Sequence, residues 1–512
     1  MIYIDPPYNT GKDFVYKDDY TDNLRNYQEI TGQIDCEGNR LSTNSDSDGR
    51  YHSNWLSMMY PRLILARNLL QEDGVLFVSI DHREIANLKC LMDDIFGESN
   101  FVAIFKWNKT STPPSLSRKV RHKYEYVLCY ERAYSPKEYT GGYSEGGDMP
   151  LLNDGNPISV ITIPKESLLF KFNGRYAVGK YGRVRLLNDI DIVDGYSVED
   201  VHLEGPFKWV QDNLNKEIGE GTTFVIKSEK FAIRYIRPGG RYKKPSDIIS
   251  KKECEVGTNE DAGKEIKSLF GSNVMSFPKP VSLMQYLIKF VDTNDEIILD
   301  FFAGSSSSAH AVLSLNREDG YNRQFIQVQL PEPTNDDSDA KKAGFMNIAE
   351  IGKERIRRVV NQIKQEDPIK AEAMDLGFKV FKLDSSNIKS WDGSPENLEQ
   401  SLFDSVENIK RDRSQEDVLY EILLKYGLDL FSPVQERIIE NQTVFNVGSG
   451  SLFVCLGDDI DGSVAEGIGQ WKEACNPEFC RVVFEDSGFT DVEKVNSFQI
   501  LKKYGIREVR SI

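Results

Sequence analysis

The chain has 512 residues, 39% of them hydrophobic, and a formal net charge of −17 at pH 7. That is too long for one ordinary domain, and about three are expected. No run approaches the roughly eighteen apolar residues of a membrane span, the first residues lack a signal-peptide pattern, and seven scattered cysteines predict a reducing, cytoplasmic setting.

Taken in chain order, the first segment reads as α/β. Met1–Ile4 is a short apolar strand, and the interval from Asn9 to Ser53 is polar and glycine-bearing, a functional loop region. Trp55–Leu70 carries helical apolar spacing through Leu56, Met59, Leu63 and Leu70. Val75–Ile80 is a buried-type strand, Glu84–Phe96 a second helix and Tyr124–Tyr130 a further strand. From about 132 to 270 the pattern breaks into short strands, turns and aromatics, which predicts an inserted domain. The alternation then resumes: helix Val281–Val291, strand Glu296–Phe301, helix Ala309–Asn316, strand Gln324–Leu330 and a long helix Ala343–Gln365. That last helix reads with a basic face of Lys353, Arg355, Arg357 and Arg358. A linker at 365–377 leads into a mixed, acidic C-terminal region with acidic runs at 392–420 and 456–461.

The acidic average does not exclude nucleic acid, because phosphate binding needs local Lys and Arg. Two stretches supply them. One runs Lys106 to Lys123 with Lys109, Arg118, Lys119 and Arg121. The other runs Lys227 to Lys252, where Arg234, Arg237 and Arg241 alternate with Phe231, Tyr235 and Tyr242. Either stretch could equally be a solvated face. Trp107 could stack on a base or fill the core, and His310 reads as packing or capping before catalysis. No His, Cys, Asp or Glu cluster has metal-ligand spacing, so no metal is expected.

Two strand-end motifs carry chemistry. Asp5-Pro6-Pro7-Tyr8 follows the first strand directly, where α/β sheets place their ligands. Two prolines stiffen the loop, and the Asp5 carboxylate and Pro6 carbonyl can accept hydrogen bonds from one amino group. An exocyclic amine on a base is a poor nucleophile, since its lone pair is delocalised into the ring. Two fixed acceptors pull that nitrogen towards tetrahedral geometry without a strong base. Tyr8 offers a flat face for an extruded base. The same letters could also form a merely stiffened turn. The second motif, Asp300-Phe301-Phe302-Ala303-Gly304-Ser305, joins a strand to a helix start through small residues, a nucleotide-type cradle. One loop can hold an amine and the other a nucleoside-like cofactor, and S-adenosylmethionine fits both.

In this order, and with His52–Leu63, Phe277-Pro278-Lys279-Pro280, Ile351–Arg358 and Val483–Phe489 between and after them, these motifs resemble the modification (Mod) subunit of Type III restriction-modification systems. The resemblance implies a Rossmann-like, S-adenosylmethionine-dependent methyltransferase sheet of seven mostly parallel strands. It implies a target-amine half at 1–131, a target-recognition insert at 132–270, a cofactor half at 271–365 and a mixed α+β C-terminal domain at 366–512 for dimer or restriction-subunit contacts. It further implies adenine N6 methylation in a short asymmetric site of double-stranded DNA, a homodimer, and a separate restriction subunit carrying helicase and nuclease activities. Asp5, Pro6, Pro7 and Tyr8 match the catalytic loop. Asp300, Phe302, Ala303, Gly304 and Ser305 match the cofactor loop, and Lys279 and Pro280 match a segment that borders the cofactor.

Three departures stand out. The family often reads Gly-Ser-Gly in the cofactor loop, where this chain has Gly304-Ser305-Ser306. The acid expected on the cofactor ribose is Glu332, with Gln329 as the alternative. Finally, Mod proteins usually carry a strand and helix ahead of the Asp-Pro-Pro-Tyr strand, whereas here Met1 stands almost on it, which reads as an N-terminal truncation. Two alternatives stay open: cytosine N4 methylation by the same amine loop, and a catalytically impaired DNA-recognition and docking subunit.

Overall fold

The computed structural model describes residues 1–10, 51–112, 119–144, 147–239, 241–291, 294–389 and 408–512. The polar interval after Thr10 therefore lies outside the described residues up to 50, together with Gly11 and Cys36. Arg118, the first part of the 392–420 acidic run and the side chain of Arg241 do so as well.

Residues 1–377 form one compact unit, built on a seven-stranded sheet. Its strands are β1 (Ile2–Ile4), β2 (Val75–Ile80), β3 (Phe101–Asn108), β4 (Tyr124–Glu131), β5 (Ile248–Ile249), β6 (Ile297–Asp300) and β7 (Gln324–Gln327). The order across the sheet is β5-β3-β4-β2-β1-β6-β7. Every pairing is parallel except the two that β4 makes with β2 and β3. β1 and β2 are buried along their whole length, as their near-continuous apolar runs require of strands covered on both faces. Strand β3 adds to the strands expected from sequence. Its sequence, Phe-Val-Ala-Ile-Phe-Lys-Trp-Asn, merges into the basic stretch, and pairing with β4 on one side and β5 on the other makes it a strand.

Helices α1 (Tyr51–Leu69), α2 (Ile85–Phe96), α3 (Asn259–Phe270), α4 (Val281–Val291), α5 (Ser307–Asp319) and α6 (Ile348–Glu366) cover the sheet. One core, with Phe77, Phe105, Trp107, Leu287 and Phe290, lies on the α4–α5 face; the other, with Ile4, Trp55, Met59, Phe96 and Tyr130, lies on the α1–α2 face. Trp107 is wholly buried and donates to the Gly257 carbonyl at 3.0 Å, so it is a core residue and not a base-stacking one. The α6 reading needs one correction: Arg355 is 1% exposed, so it leaves the basic face to its neighbours on the helix. Within 365–377 a short helix, Pro368–Ala373, follows α6.

Between β4 and β5 the described residues build three further sheets, of four, seven and two short strands, and the two larger ones pack together. They share a core containing Leu168, Phe170, Leu203, Phe224 and Phe231. Here too the sequence expectation changes. Phe231 and Tyr235 are buried, and Arg234 and Arg237 are paired with Asp148 and Glu217 inside the insert. The aromatic and basic alternation thus serves packing first. By 248–270 the chain has returned to the main sheet through β5 and α3.

Residues 378–512 form a second compact unit. Strands Val434–Ile439, Gln442–Val447 and Leu452–Cys455 run as an antiparallel meander; Arg481–Phe484 and Glu508–Ser511 then add in parallel, each reached through a helix, Gly462–Cys475 and Asp491–Lys503. Such parallel additions need a crossover, and the helices supply it.

Candidate active site

Parallel strands put their C-terminal ends on one side, and the two motif loops leave neighbouring strands there. β1 pairs with β6 in the register Ile2 opposite Leu299, so Asp5–Tyr8 and Phe301–Ser306 emerge side by side.

The amine loop is pinned at several points. Pro6 is buried, and the Pro7 carbonyl accepts from the indole of Trp55 at 2.7 Å. Asn9, left-handed at φ 56° and 2% exposed, donates to Glu84 at 2.6 Å; that fully buried carboxylate also contacts His52 and Asn87. Asp5 stays partly open, its side chain 25% exposed. The Tyr8 hydroxyl lies 2.8 Å from Asp5 Oδ1 and 3.0 Å from Glu125 Oε2, so its single proton serves one carboxylate or the other.

Lys279, expected to border the cofactor, stands between the two loops. Its side chain turns to the amine loop: Nζ is 3.0 Å from Asp5 Oδ2, 3.1 Å from Glu125 Oε2 and 2.7 Å from the Tyr8 hydroxyl. Its main chain faces the end of the cofactor loop, where Ser307 Oγ, at the start of α5, donates to the Lys279 carbonyl at 2.9 Å. Lys279 therefore ties both loops together, with Pro280 buried beside it. Burial works to lower the Lys279 pKa, but Asp5 and Glu125 outweigh it and the ammonium is held above its ordinary value. For Asp5 burial dominates and raises the carboxyl, against the pull of Lys279. Burial also opposes ionisation of Glu125, yet Lys279 and Lys109 prevail and hold it below the usual range. Glu125 escaped the sequence reading because it sits in the middle of a strand-forming run, Tyr-Glu-Tyr-Val.

The cofactor loop makes a cradle of small residues. Gly304 is left-handed at φ 52°, and a Cβ there would meet nothing nearer than the Met275 methyl at 3.7 Å, so the loop keeps open space on that side. Ser306 is left-handed too, at φ 58°, which explains why glycine suits this position in the related pattern. Ala303 and Phe302 are buried, and Asp300, 3% exposed, accepts from Ser308 Oγ at 2.6 Å and from the Phe302 amide at 3.1 Å. Burial pushes the Asp300 carboxyl up to about 7. The Gly304 amide donates to Gln329 Oε1 at 2.7 Å, and Gln329 Nε2 lies 3.4 Å from Glu332 Oε1. Both ribose candidates thus stand at the cradle's edge, with Gln329 directly on the loop.

Behind the loop stands Arg355. Its guanidinium donates to Ser305 Oγ at 2.9 Å, to Ser307 Oγ at 2.8 Å and to His310 Nδ1 at 3.3 Å. The nearest carboxylate, Glu265, is 3.9 Å away. Burial lowers the Arg355 pKa to about 10 and that of His310 to about 3, so His310 is a neutral acceptor. Sequence reasoning counted Arg355 as surface charge. Its neighbour in the helix, Gly352, gives the signal that could have placed it: a Cβ there would lie 2.6 Å from Ser306 Oγ.

Comparison with known proteins bears on this geometry. The chain is 36% identical over 390 residues to the StyLTI Mod subunit of the Salmonella typhimurium Type III restriction-modification enzyme, covering 75% of this chain and 56% of that one. It is 29% identical over 545 residues to the Escherichia coli EcoP15I Mod subunit, covering 98% and 80%, and 35% identical over 404 residues to the Escherichia phage P1 EcoPI Mod subunit, covering 74% and 61%. The chain thus spans between just over half and four fifths of the length of these relatives. A family model described as DNA methylase matches residues 1–365. That match runs through both strand-end loops and the whole seven-stranded sheet, and the chain therefore belongs to the DNA methylase family.

Proposed function

We propose that this protein transfers a methyl group from S-adenosylmethionine to adenine N6 within a short asymmetric site of double-stranded DNA, as the modification component of a Type III restriction-modification system. The observation that carries the reading is the adjacency of two loops on neighbouring parallel strands: one presents a partly exposed carboxylate, the other leaves a small-residue space. Likeness to three Mod subunits supports the system to which it is assigned.

In this reading Asp5 and the Pro6 carbonyl accept the two N–H bonds of the target amine and free its lone pair, and the Tyr8 ring backs the extruded base. When bound, the cofactor supplies an electrophilic methyl on a sulfonium. Asp300, Phe302, Ala303, Gly304 and Ser305 would hold it, with Lys279 and Pro280 bordering it through their main chain and Glu332 or Gln329 at its ribose. The space at Gly304 and the buried acid at the strand end suit such a group. The insert between β4 and β5 reads the site. Residues 366–512 serve docking of a second copy or of the helicase-nuclease subunit. The rim around the pocket, with Lys119, Arg121 and Lys123 exposed at the start of β4, takes phosphates.

The test is to express the chain in a methylation-free host and map modified bases by single-molecule sequencing of the host DNA. N6-methyladenine on one strand of a short motif is expected, and Asp5→Ala should abolish it while leaving DNA binding intact. N4-methylcytosine would replace the base assignment. Unmodified DNA with soluble protein would leave a recognition and docking subunit.

A further inference from the structure

Asp5 is faced by charged and titratable groups from every side of the pocket. Lys279, just ahead of α4, and Glu125, on β4, are the nearest charges, and Tyr8 belongs to the same loop. Tyr3 on β1 and Asp300 at the end of β6 act on it from behind. Lys109, after β3, reaches it only through Glu125 Oε1, at 3.1 Å.

Lys279 spends its three N–H donors on Asp5, Glu125 and Tyr8. It is thus shared almost equally between two carboxylates, and the sharing has a chemical consequence. An amine that attacks a methyl group becomes cationic, and a lysine locked on Asp5 cancels the negative charge that this cation needs. A second carboxylate within reach gives the ammonium another seat. Glu125 is suited to be that seat, because Lys109 already anchors its other oxygen.

We propose that Lys279 is the movable counter-charge of Asp5: it sits between Asp5 and Glu125 and passes to Glu125 when the target amine docks. Lys279 and Glu125 are then positioning residues acting through Asp5. The proposal rests on the methyltransferase reading and adds to it a residue, Glu125, outside both motifs.

The test is the pH profile of single-turnover methylation. Lys279→Met removes the cation that favours ionised Asp5, so the acid limb moves up, by about one pH unit. Glu125→Gln removes an anion and leaves Lys279 on Asp5, so the limb moves down while the plateau rate falls roughly tenfold or more. The double variant E125Q/K279M is expected to regain part of that plateau, since nothing then masks Asp5. Limbs that move in the same direction, or a double variant no faster than E125Q, would overturn the proposal. A second readout needs no turnover. For each protein, the pH dependence of urea unfolding, compared with that of its Asp5→Asn counterpart, reports the titration of Asp5 with the groups coupled to it. If the wild type methylates nothing, the functional reading fails, and the unfolding comparison still decides whether Lys279 and Glu125 pull Asp5 in opposite directions.

Discussion

At the scale of single residues, two positions hold conformations or charges that folding alone would not select. Asp300 keeps its proton up to about pH 7 because burial outweighs the bonds from Ser308 and the Phe302 amide. The ordinary carboxyl value lies near 4, so between those values the folded chain holds a proton that the unfolded chain releases. Stability is therefore full below about pH 4, falls as the pH rises to about 7, and is level above it. Asp300→Asn should flatten that slope in urea unfolding of the 1–377 unit; an unchanged slope would assign it to another group. Phe277 is left-handed at φ 51° and 82% exposed, between Met275, beside the Gly304 space, and Lys279. A bulky side chain there costs about 1–2 kcal/mol of backbone strain. Phe277→Gly should stabilise the fold by up to about 1 kcal/mol, while weakening cofactor or DNA binding if the exposed ring is kept for a ligand. Stabilisation with both affinities unchanged would leave the ring without a role.

At the scale of elements, α6 acts on the cofactor loop as a brace, through Arg355 donating to two serines and through the close approach of Gly352. Arg355→Met would leave those hydroxyls without a buried donor, at about 1–3 kcal/mol each. The expected result is cofactor affinity lower by about ten- to a hundredfold with DNA affinity unchanged, measured by calorimetry; equal loss of both would make Arg355 a general stability residue. Gly352→Ala should displace the loop, and adding Ser306→Gly should restore part of the cofactor affinity by removing the oxygen that clashes. How far this site could be read in advance follows from the same contacts. The amine loop was legible because Asp, Pro and Tyr each carry their chemistry in the letters. The direction of the Lys279 side chain was not, since a lysine ahead of a helix reads equally well as solvated. Arg355 was hidden for the opposite reason, because a buried guanidinium held by hydroxyls has the same sequence pattern as a basic helix face. Strand β3 was concealed by the lysines at its end, whereas β1, β2 and β4 announced themselves by short runs rich in apolar, β-branched and aromatic residues.

At the scale of the molecule, the acidic total coexists with a basic rim on the side of the sheet where both loops emerge. Lys119, Arg121 and Lys123 are exposed there, while Arg234 and Arg237 are engaged by Asp148 and Glu217. Changing the first three to Gln should lower the slope of log affinity against log salt by about one for each phosphate lost. Neutralising Arg234 and Arg237 should change that slope little. The reverse pattern would move the DNA path onto the insert. The order of the strands also sets a schedule for synthesis. The amino group of Met1 meets the Ile297 carbonyl, 296 residues away, and one side of β1 pairs only with β6. At about 5–20 residues per second, a ribosome takes tens of seconds or so to make the chain between β2 and β6. Through that interval one flank of β1, an interior strand, waits unpaired, and the insert is complete before the two loops can meet. Holding that open flank away from other nascent chains is a task that falls to the cell, and slow or interrupted translation before β6 should cost more soluble protein than the same pause after it.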